Sequence, residues 1–410
     1  MRRKQLILVV SVIMIIGMLC TQSVAAYTLV DYTSSITKAA DRLVALQADI
    51  TEDNAGNGDP DGDPDDGGWN WIIADTATGY VGAGPSSENL YGVTALCILE
   101  AYKIDPKASY MTAMVDTYTG ANAKPGVDSG PDMPFLVELS KITGNSAYAS
   151  LAKTRYDTKV ASYGDYNGDS QIDAKDLAEK IRDVRNSQGW DGLIPWDIHL
   201  FIEAALALHQ YYPGQGYDQD ASDMADVAYD DMDGSPGYFD PTDSTENAYL
   251  LGLVGGIEGF VKTGKYIAGS ISAKSLKDTL LSYQEVTGEW KEPTDPTDYL
   301  TTVQTTAYAV MALMTYIGSA EAAAARKGAE WLISEQNTNG GWSGSDECPE
   351  ITSEAAQALA ASKPTAVGGV WSTINKFELV APWLGLASLI TITTLVVSVV
   401  FVKRRKNRNL

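Results

Sequence analysis

The chain has 410 residues, and its 30 lysines and arginines stand against 53 aspartates and glutamates, so that the formal net charge is −23 at pH 7. So acidic a chain repels nucleic acid and anionic lipid headgroups, and we expect no nucleic-acid partner. Its three cysteines are too few for a framework of disulfide bonds.

The N-terminal segment, residues 1–26, has the layout of a cleavable export signal. Basic residues at positions 2–4 precede an uncharged apolar run at 6–19, and small residues follow at 23–26. A basic start, an apolar centre and a small-residue cleavage site are the parts of such a signal. We therefore predict a signal peptide and a mature chain that starts near Tyr27.

The central part of the chain, residues 27–362, repeats one pattern. An apolar helix end with a Gln is followed by a Gly-rich turn with an aromatic residue and then by a helix of small apolar residues. The clearest copies are "LLSYQEVTGEW" at 280–290 and "LISEQNTNGGW" at 332–342. Further copies, including one with Trp69 and a degenerate one around "SGPDMPFLVELSKIT", bring the predicted number of units to six.

Each unit is predicted to hold two helices of different character. The helix before the aromatic turn, such as 325–336, is amphipathic and suits an outer position, whereas the helix after it, such as 305–316, is apolar nearly all round and should be buried. Hairpins that cannot bury their inner faces alone are expected to close into a ring of parallel inner helices. The predicted fold is all-α, an α/α toroid of about six helical hairpins. In such a ring Cys97 and Cys348 could lie near each other, although two separate thiols are favoured.

The repeat of Gln, Gly-Gly-Trp and an Ala-rich helix resembles the terpenoid cyclase and protein prenyltransferase superfamily of α/α toroids, over roughly residues 35–362. Its relatives include polysaccharide-acting enzymes and non-catalytic surface proteins, so the resemblance implies a fold more than a function. "DPDD" at 63–66 matches the letters of the squalene-type cyclase motif, but it lies in a loop of Gly, Pro and Asp. Asp346 and Cys348 match the start of a prenyltransferase zinc site, yet no His follows His209 to complete it.

The stretch "GDYNGDSQIDAKDL", within an inserted segment at 164–181, is predicted to be an EF-hand-like calcium loop that staples the third unit. Six positions follow the 1, 3, 5, 7, 9 and 12 spacing of such a loop. They are Asp165, Asn167, Asp169, Gln171 through its backbone carbonyl, Asp173 and Asp176. Ile172 is expected to be the apolar anchor of the loop.

The loop also resembles one dockerin repeat, which implies partner docking, but dockerins pair two such loops and this chain shows one. A second acidic stretch, residues 58–68, either binds another calcium ion or is a solvated turn, and the turn is favoured.

Acidic residues precede several inner helices, and two interpretations are open. Glu88, Glu246 and Glu354 occupy equivalent places, and Asp132 and Asp197 lie at similar points. Because the inner helices are parallel, these side chains should surround one mouth of the central cavity. Helix capping is the simpler interpretation. The functional one is a cation or carbohydrate site with a carboxylate pair as acid and base.

His199 and Glu203 lie one turn apart on a predicted inner helix. Such a pair can bind a metal or serve as acid and base. The sequence shows no further ligands, however, so an ordinary rim or packing role is favoured for His199.

Tryptophans could stack on sugars, but those that end a repeat are more simply packing anchors. These are Trp69, Trp190, Trp290 and Trp342. Trp71 and Trp196 lie elsewhere in the repeat and are freer to bind a ligand.

The C-terminal segment is predicted to anchor the chain in a membrane. Residues 381–402 carry no charge and are long enough to cross about 30 Å of hydrocarbon as a helix. They follow a juxtamembrane linker at 363–380 and precede a basic tail at 403–410, which should remain cytoplasmic. The segment resembles the anchors of archaeal cell-surface proteins, so we expect a single-pass protein of the cell membrane with an extracellular ectodomain.

Three function hypotheses follow. The first is a non-catalytic, calcium-stabilised module that binds a glycan, an envelope component or a surface-protein partner through the acidic mouth. The second is a polysaccharide lyase or glycoside hydrolase that uses carboxylates of that mouth. The third and weakest is a terpene cyclase-like enzyme. The first is preferred because no complete catalytic set is visible, and the weak catalytic candidates are Glu88, Asp197, Glu246, Glu354 and His199.

Overall fold

The computed structural model describes residues 27–47, 67–69, 73–76, 79–82, 90–119, 130–234, 249–316, 318–342 and 346–364. The predicted signal peptide, residues 58–66 of the acidic stretch at 58–68 and the predicted span at 381–402 lie outside them. None of the helices that the structure describes is long and apolar enough to span a bilayer.

The described residues form thirteen α-helices and three short strands. The helices are α1 (Leu29–Leu46), α2 (Tyr91–Ile104), α3 (Ala108–Thr119), α4 (Asp132–Thr143), α5 (Ser146–Ala161), α6 (Ala174–Gln188), α7 (Ile194–Tyr211), α8 (Tyr217–Gly234), α9 (Leu250–Thr263), α10 (Ala273–Ser282), α11 (Tyr299–Thr315), α12 (Ser319–Glu335) and α13 (Pro349–Ser362). The strands are β1 (Ile73–Thr76), β2 (Gly79–Gly82) and β3 (Asp346–Glu347), and β1 pairs antiparallel with the other two.

Six of the helices form a closed inner ring. In order around the ring they are α2, α4, α7, α9, α11 and α13, each packed on the next, and α13 packs on α2. An outer helix accompanies each of them, namely α1, α3, α5, α8, α10 and α12, while α6 is an addition that packs on α7 and α8. The predicted α/α toroid of six hairpins is thus confirmed for the described part of the chain.

Local signals determine where the helices begin and end. At the start of α1 the Thr28 hydroxyl accepts from the backbone N–H of Asp31, whose carboxylate accepts from the backbone N–H of Thr28. This capping box satisfies two N–H groups that a helix start leaves unpaired. At the end of α4, Gly144 has φ 70°, the left-handed conformation that stops a helix.

The tryptophans of three repeats are packing anchors, as predicted. Trp69, Trp290 and Trp342 are fully buried, and each indole N–H donates over 2.8 Å to a carbonyl of the outer helix that precedes it. The acceptors are Leu43, Leu280 and Leu332. Trp190 does not follow this pattern, because it is 46% exposed and lies over the guanidinium of Arg185. The predicted anchoring role of Trp190 is therefore wrong.

The glutamine of the same repeats joins each hairpin to the next one. The side-chain amides of Gln47, Gln284 and Gln336 each donate to the carbonyl of a glycine in their own turn. Each amide also donates over 2.9 Å to a carbonyl of the next outer helix, and these acceptors are Ala113, Ala324 and Ser35. The glutamine of this repeat is thus explained by its amide, which donates to two backbone carbonyls.

Cys97 and Cys348 are both free thiols in buried positions. Burial raises the pKa of both, in the case of Cys348 to about 12. Buried thiols of high pKa are unreactive, and they pack as small apolar side chains.

Candidate functional site

A cavity of about 330 Å³ lies in the middle of the ring. Every inner helix or the residue before it contributes to its wall, for example through Val93, Pro131, His199, Glu258, Tyr308 and Gln357. Methionines and leucines complete the wall. The cavity is therefore the central space of the toroid, with a mixed polar and apolar lining.

Four charged or titratable side chains meet on one wall of this cavity. His199 and Glu203 come from α7, and Glu258 and Lys262 come from α9. Nε2 of His199 lies 3.4 Å from Oε2 of Glu258, and Nζ of Lys262 lies 3.2 Å from the same oxygen. Lys262 also pairs with Glu203. We call these four residues the His199 cluster.

Close helix packing explains how α9 brings its carboxylate to His199. A methyl group added at Gly255 would lie 2.5 Å from the carbonyl oxygen of Pro195 and from backbone atoms of Trp196. One turn later, a methyl group at Gly259 would lie 3.1 Å from the side chain of Ile202. Glycine is thus required where the two backbones approach each other, and the approach places Glu258 beside α7.

The electrostatics keep the α9 pair ionised. Burial acts to raise the pKa of Glu258, but Lys262 and then His199 outweigh it and lower the pKa to about 2. Burial likewise acts to lower the pKa of Lys262, but the carboxylates of Glu203 and Glu258 raise it. Both side chains are therefore charged around neutral pH, and each stabilises the charge of the other.

The orientation of His199 is set by the backbone of its own helix. Nδ1 of the ring bonds to the carbonyl oxygen of Trp196, and the Trp196 indole lies tilted against the imidazole, with centroids 4.3 Å apart. The indole also meets the Tyr308 ring edge-on, with centroids 4.0 Å apart. Trp196 is consequently packed into the core beside the cavity, and its predicted freedom to stack on a ligand is much reduced.

An open groove of about 450 Å³ continues from the cavity wall. Glu203 and Lys262 belong to both spaces, and the groove extends along α7 through Leu206 and Gln210. It runs toward the C-terminal ends of α7 and α9. The described route to the His199 cluster is therefore at the end of the ring opposite to the predicted acidic mouth.

The acidic residues predicted to surround the mouth lie in different environments or outside the described residues. Glu88 and Glu246 lie outside the described residues. Asp132 is buried and accepts from the backbone N–H of Gly92 over 2.8 Å, at the start of the neighbouring inner helix. Asp197 pairs with Arg185 of α6. Both described aspartates thus have structural partners, in keeping with the capping interpretation for Asp132.

Glu354 contradicts the capping interpretation. It lies fully buried in the second turn of α13 and accepts from the Tyr308 hydroxyl. Burial raises its pKa well above the usual range, and the nearby carboxyl of Glu350 raises it further. Burial also raises the pKa of Glu350, to about 7. We call Glu350, Glu354 and Tyr308 the carboxyl pocket, a place where a protonated carboxyl group is favoured near neutral pH.

In the loop at 164–177, the carboxylates accept hydrogen bonds from backbone N–H groups of the same segment. Asp176 accepts from three N–H groups, and Asp165 and Asp169 accept from Ser170 and Gln171. Ser170, at the position usually held by glycine, has φ 72°. The left-handed turn that the loop needs is thus formed, and calcium binding stays a prediction.

Ile172, the expected apolar anchor of this loop, is 58% exposed, so that expectation is wrong. Within the part of the chain that the structure describes, one group of three His, Cys, Asp or Glu side chains lies close enough together to share a metal ion. It consists of His199, Glu203 and Glu258.

Sequence reasoning missed Glu258, Lys262 and the capping acid Glu292. Glu292 is buried and accepts from the backbone N–H of Leu250 over 3.0 Å, at the start of α9. Burial raises its pKa to about 7, although the backbone donors act to lower it. The signal that could have found the α9 residues is the run "GGIEGFVK", where small residues one turn apart flank an acid.

Known proteins resemble this chain in fold. A family model for the A-macroglobulin TED domain matches residues 275–361. No curated protein matches the chain. A possible member of the GH105 family from Salmonella enterica serovar Paratyphi A is 10% identical with a TM-score of 0.51, over 84% of this chain and 96% of that chain.

Two further solved structures resemble this chain in fold. A possible member of the GH105 family from Klebsiella pneumoniae is 11% identical with a TM-score of 0.52, over 84% of this chain and 95% of that chain. A UGL variant with dGlcA-Glc-Rha-Glc is 12% identical with a TM-score of 0.52, over 80% of this chain and 95% of that chain. At these identities the likeness establishes the α/α toroid fold alone.

Proposed function

We propose that this chain is a membrane-anchored cell-surface toroid that binds the end of a glycan chain in its central cavity without cleaving it. The observation that carries the proposal is the pairing within the His199 cluster. Lys262 bridges Glu203 and Glu258, and His199 contacts Glu258. Charged groups held in this way offer fixed hydrogen-bond partners to hydroxyl groups, and their pairing disfavours the free acid and free base of a glycosidase.

The shape of the site supports a ligand of this kind. A cavity of about 330 Å³ is at the small end of the range for ligand pockets, which suits one or two sugar residues. The groove along α7 then offers a path for the rest of the chain. Leu96 and Met311 supply apolar surface for the carbon-bearing faces of a sugar ring. The UGL variant, a toroid of similar fold, was obtained with dGlcA-Glc-Rha-Glc.

The cellular part of the proposal rests on the sequence. The predicted signal peptide at 1–26, the uncharged segment at 381–402 and the basic tail support this proposal. Together they would put the toroid outside the cell on a single span. Calcium in the loop at 164–177 would stabilise the insertion that carries α6. The ligands would be Asp165, Asn167, Asp169, Gln171, Asp173 and Asp176.

A second candidate function is a carbohydrate-active enzyme, and the carboxyl pocket favours it. Burial, helped by Glu350, holds the pKa of Glu354 well above its usual range, and Tyr308 joins it to the cavity wall. A general acid needs a carboxyl group that holds its proton near neutral pH. In this alternative the Tyr308 hydroxyl would turn to donate its proton to the ligand and would regain a proton from the Glu354 carboxyl group, which reverses the hydrogen bond between them.

Binding and cleavage can be measured on the same purified full-length protein. It is incubated with neutral and acidic polysaccharides, and the retained glycan and any new chain ends are measured by mass spectrometry. We expect retention without new ends. Met311→Trp, which fills the cavity, should reduce retention at least tenfold, whereas Val286→Trp, at a side chain that is 87% exposed, should leave it unchanged.

Glu354→Gln separates the two candidates, because it keeps the shape of the side chain and removes its acidic proton. New chain ends that appear with the wild type and disappear with this variant would establish the enzyme. Equal retention by Met311→Trp and wild type would contradict binding in the cavity under either function.

A further inference from the structure

We propose that His199, Glu203 and Glu258 form a binding site for a divalent transition-metal ion, for which zinc is the best match. The inference goes beyond the proposed function and does not depend on it. One imidazole and two carboxylates are ligands that zinc accepts, and three protein ligands with one open position are typical of zinc sites that also bind a small molecule.

The distances suit such an ion. The potential ligand atoms of the three residues lie within 4.8 Å of one another, and Nε2 of His199 lies 3.4 Å from Oε2 of Glu258. Zinc bonds of about 2.0–2.2 Å in tetrahedral geometry separate neighbouring ligand atoms by about 3.4 Å. The His199–Glu258 edge already has that length, and Glu203 can complete the set through a small side-chain movement.

The backbone prepares His199 to act as a ligand. The carbonyl oxygen of Trp196 can only accept a hydrogen bond, so Nδ1 of His199 carries a proton. Nε2 is then the ring nitrogen that faces Glu258, and it can bind an ion once it carries no proton. A carbonyl that holds the other ring nitrogen is the usual outer partner of a histidine that binds a metal.

Lys262 is the cation beside the two carboxylates when no metal is bound. Its ammonium group contacts Glu203 and Glu258, so it occupies the side of the cluster where the metal would bind. Its side chain is 30% exposed and also lines the open groove. The lysine can therefore turn outward, and an ion of charge +2 would replace its charge of +1 between two carboxylates. Lys262 is thus a built-in competitor of the metal.

The open coordination position would face the cavity, because all three ligand residues line it. A metal there would bind a water molecule or an oxygen atom of a ligand in the cavity. This places the ion between the two α-helices that Gly255 and Gly259 bring together.

The test is a zinc titration of the untagged full-length protein by calorimetry, with excess calcium present to occupy the acidic loop. We expect one zinc ion per chain. Glu258→Gln, which keeps the shape and removes the charge, should weaken binding at least tenfold. Lys262→Met keeps all three ligands and removes the competing cation, so it should bind zinc at least tenfold more tightly than the wild type.

Glu285→Gln, at an exposed position, is the matched control and should bind as the wild type does. Cobalt in place of zinc gives an independent readout, since its visible absorption spectrum reports nitrogen and oxygen ligands and should be lost in Glu258→Gln. Zinc binding that is the same in the wild type, Glu258→Gln and Lys262→Met would overturn the proposal. So would a folded Lys262→Met protein that binds no zinc.

Discussion

The side-chain amide of Gln336, in the last repeat, donates over 2.9 Å to the carbonyl oxygen of Ser35 in the first helix. The two residues are 301 positions apart in the chain. Gln284 makes the equivalent bond to Ala324 between neighbouring hairpins. The bond that joins successive repeats thus also closes the ring, because the last hairpin bonds to the first one in the same way as each described hairpin bonds to the next.

Gln336→Ala should reduce the free energy of unfolding by about 2 kcal/mol, because it removes the two hydrogen bonds from the amide to the carbonyls of Ser35 and Gly340. Urea denaturation measures this. Gln284→Ala, which removes two bonds of the same kind, should cost a similar amount. Gln215→Ala, at an exposed position, should change the value by less than about 0.5 kcal/mol.

Hydrogen exchange distinguishes ring closure from a general loss of stability. α1 is the outer helix that receives the Gln336 bond, so loss of this bond should increase hydrogen exchange in α1 more than in α10. Equal increases in both helices after Gln336→Ala would contradict a role in closing the ring.

Gly255→Ala should separate α9 from α7. The added methyl group would lie 2.5 Å from backbone atoms of Pro195 and Trp196, which cannot move aside without shifting the helix. We expect a loss of about 1–3 kcal/mol in the free energy of unfolding. Gly256→Ala is the control, because its methyl group would meet the side-chain ends of Leu276 and Met232, which can rotate away. An equal loss in both variants would show that helix approach is not the cause.

The repeat could be predicted from the sequence because the bonds within each unit are local. The indole of Trp342 reaches Leu332, and the amide of Gln336 reaches the turn four residues later. A fixed spacing of residue types therefore implies a fixed geometry. Trp190 is the exception, since α6 alters the third unit and leaves this side chain at the surface.

The His199 cluster could not be completed from the sequence, because its second half comes from another helix. Glu258 reaches His199 only through the packing of α9 on α7, which depends on Gly255 and Gly259. The same reason applies to Glu354, whose partner Tyr308 lies 46 residues earlier. A capping motif is a property of one helix, whereas these contacts are properties of the ring.

Glu292 should make the stability of the protein fall as the pH rises. Burial raises its pKa from the ordinary 4.5 to about 7 in the folded protein, so the folded state binds more protons between these values. The contribution is present below about pH 4.5 and is lost as the pH rises through 7, by up to about 3 kcal/mol. Glu292→Gln cannot ionise, so its stability relative to the wild type should rise between pH 5 and pH 8.

Urea denaturation at several pH values tests this, with Glu285→Gln as an exposed control that should keep the wild-type slope. If the stability curves of Glu292→Gln and the wild type run parallel across this range, the buried carboxyl group is not what makes stability depend on pH.

Calcium should stabilise the full-length protein through the loop at 164–177. A ligand present at about 100 times its Kd stabilises a folded protein by about 2.7 kcal/mol, so the thermal midpoint should rise by several degrees when calcium replaces a chelator. Asp169→Asn keeps an oxygen that can accept from the backbone N–H of Gln171 but removes one charge from the loop. It should therefore need more calcium for the same rise.

Asp218→Asn, an exposed change outside the loop, should respond as the wild type does. The wild type could instead have the same thermal midpoint with chelator and with calcium. In that case the hydrogen bonds that Asp176 accepts from the backbone N–H groups of Tyr166, Asn167 and Asp173 hold this loop without an ion.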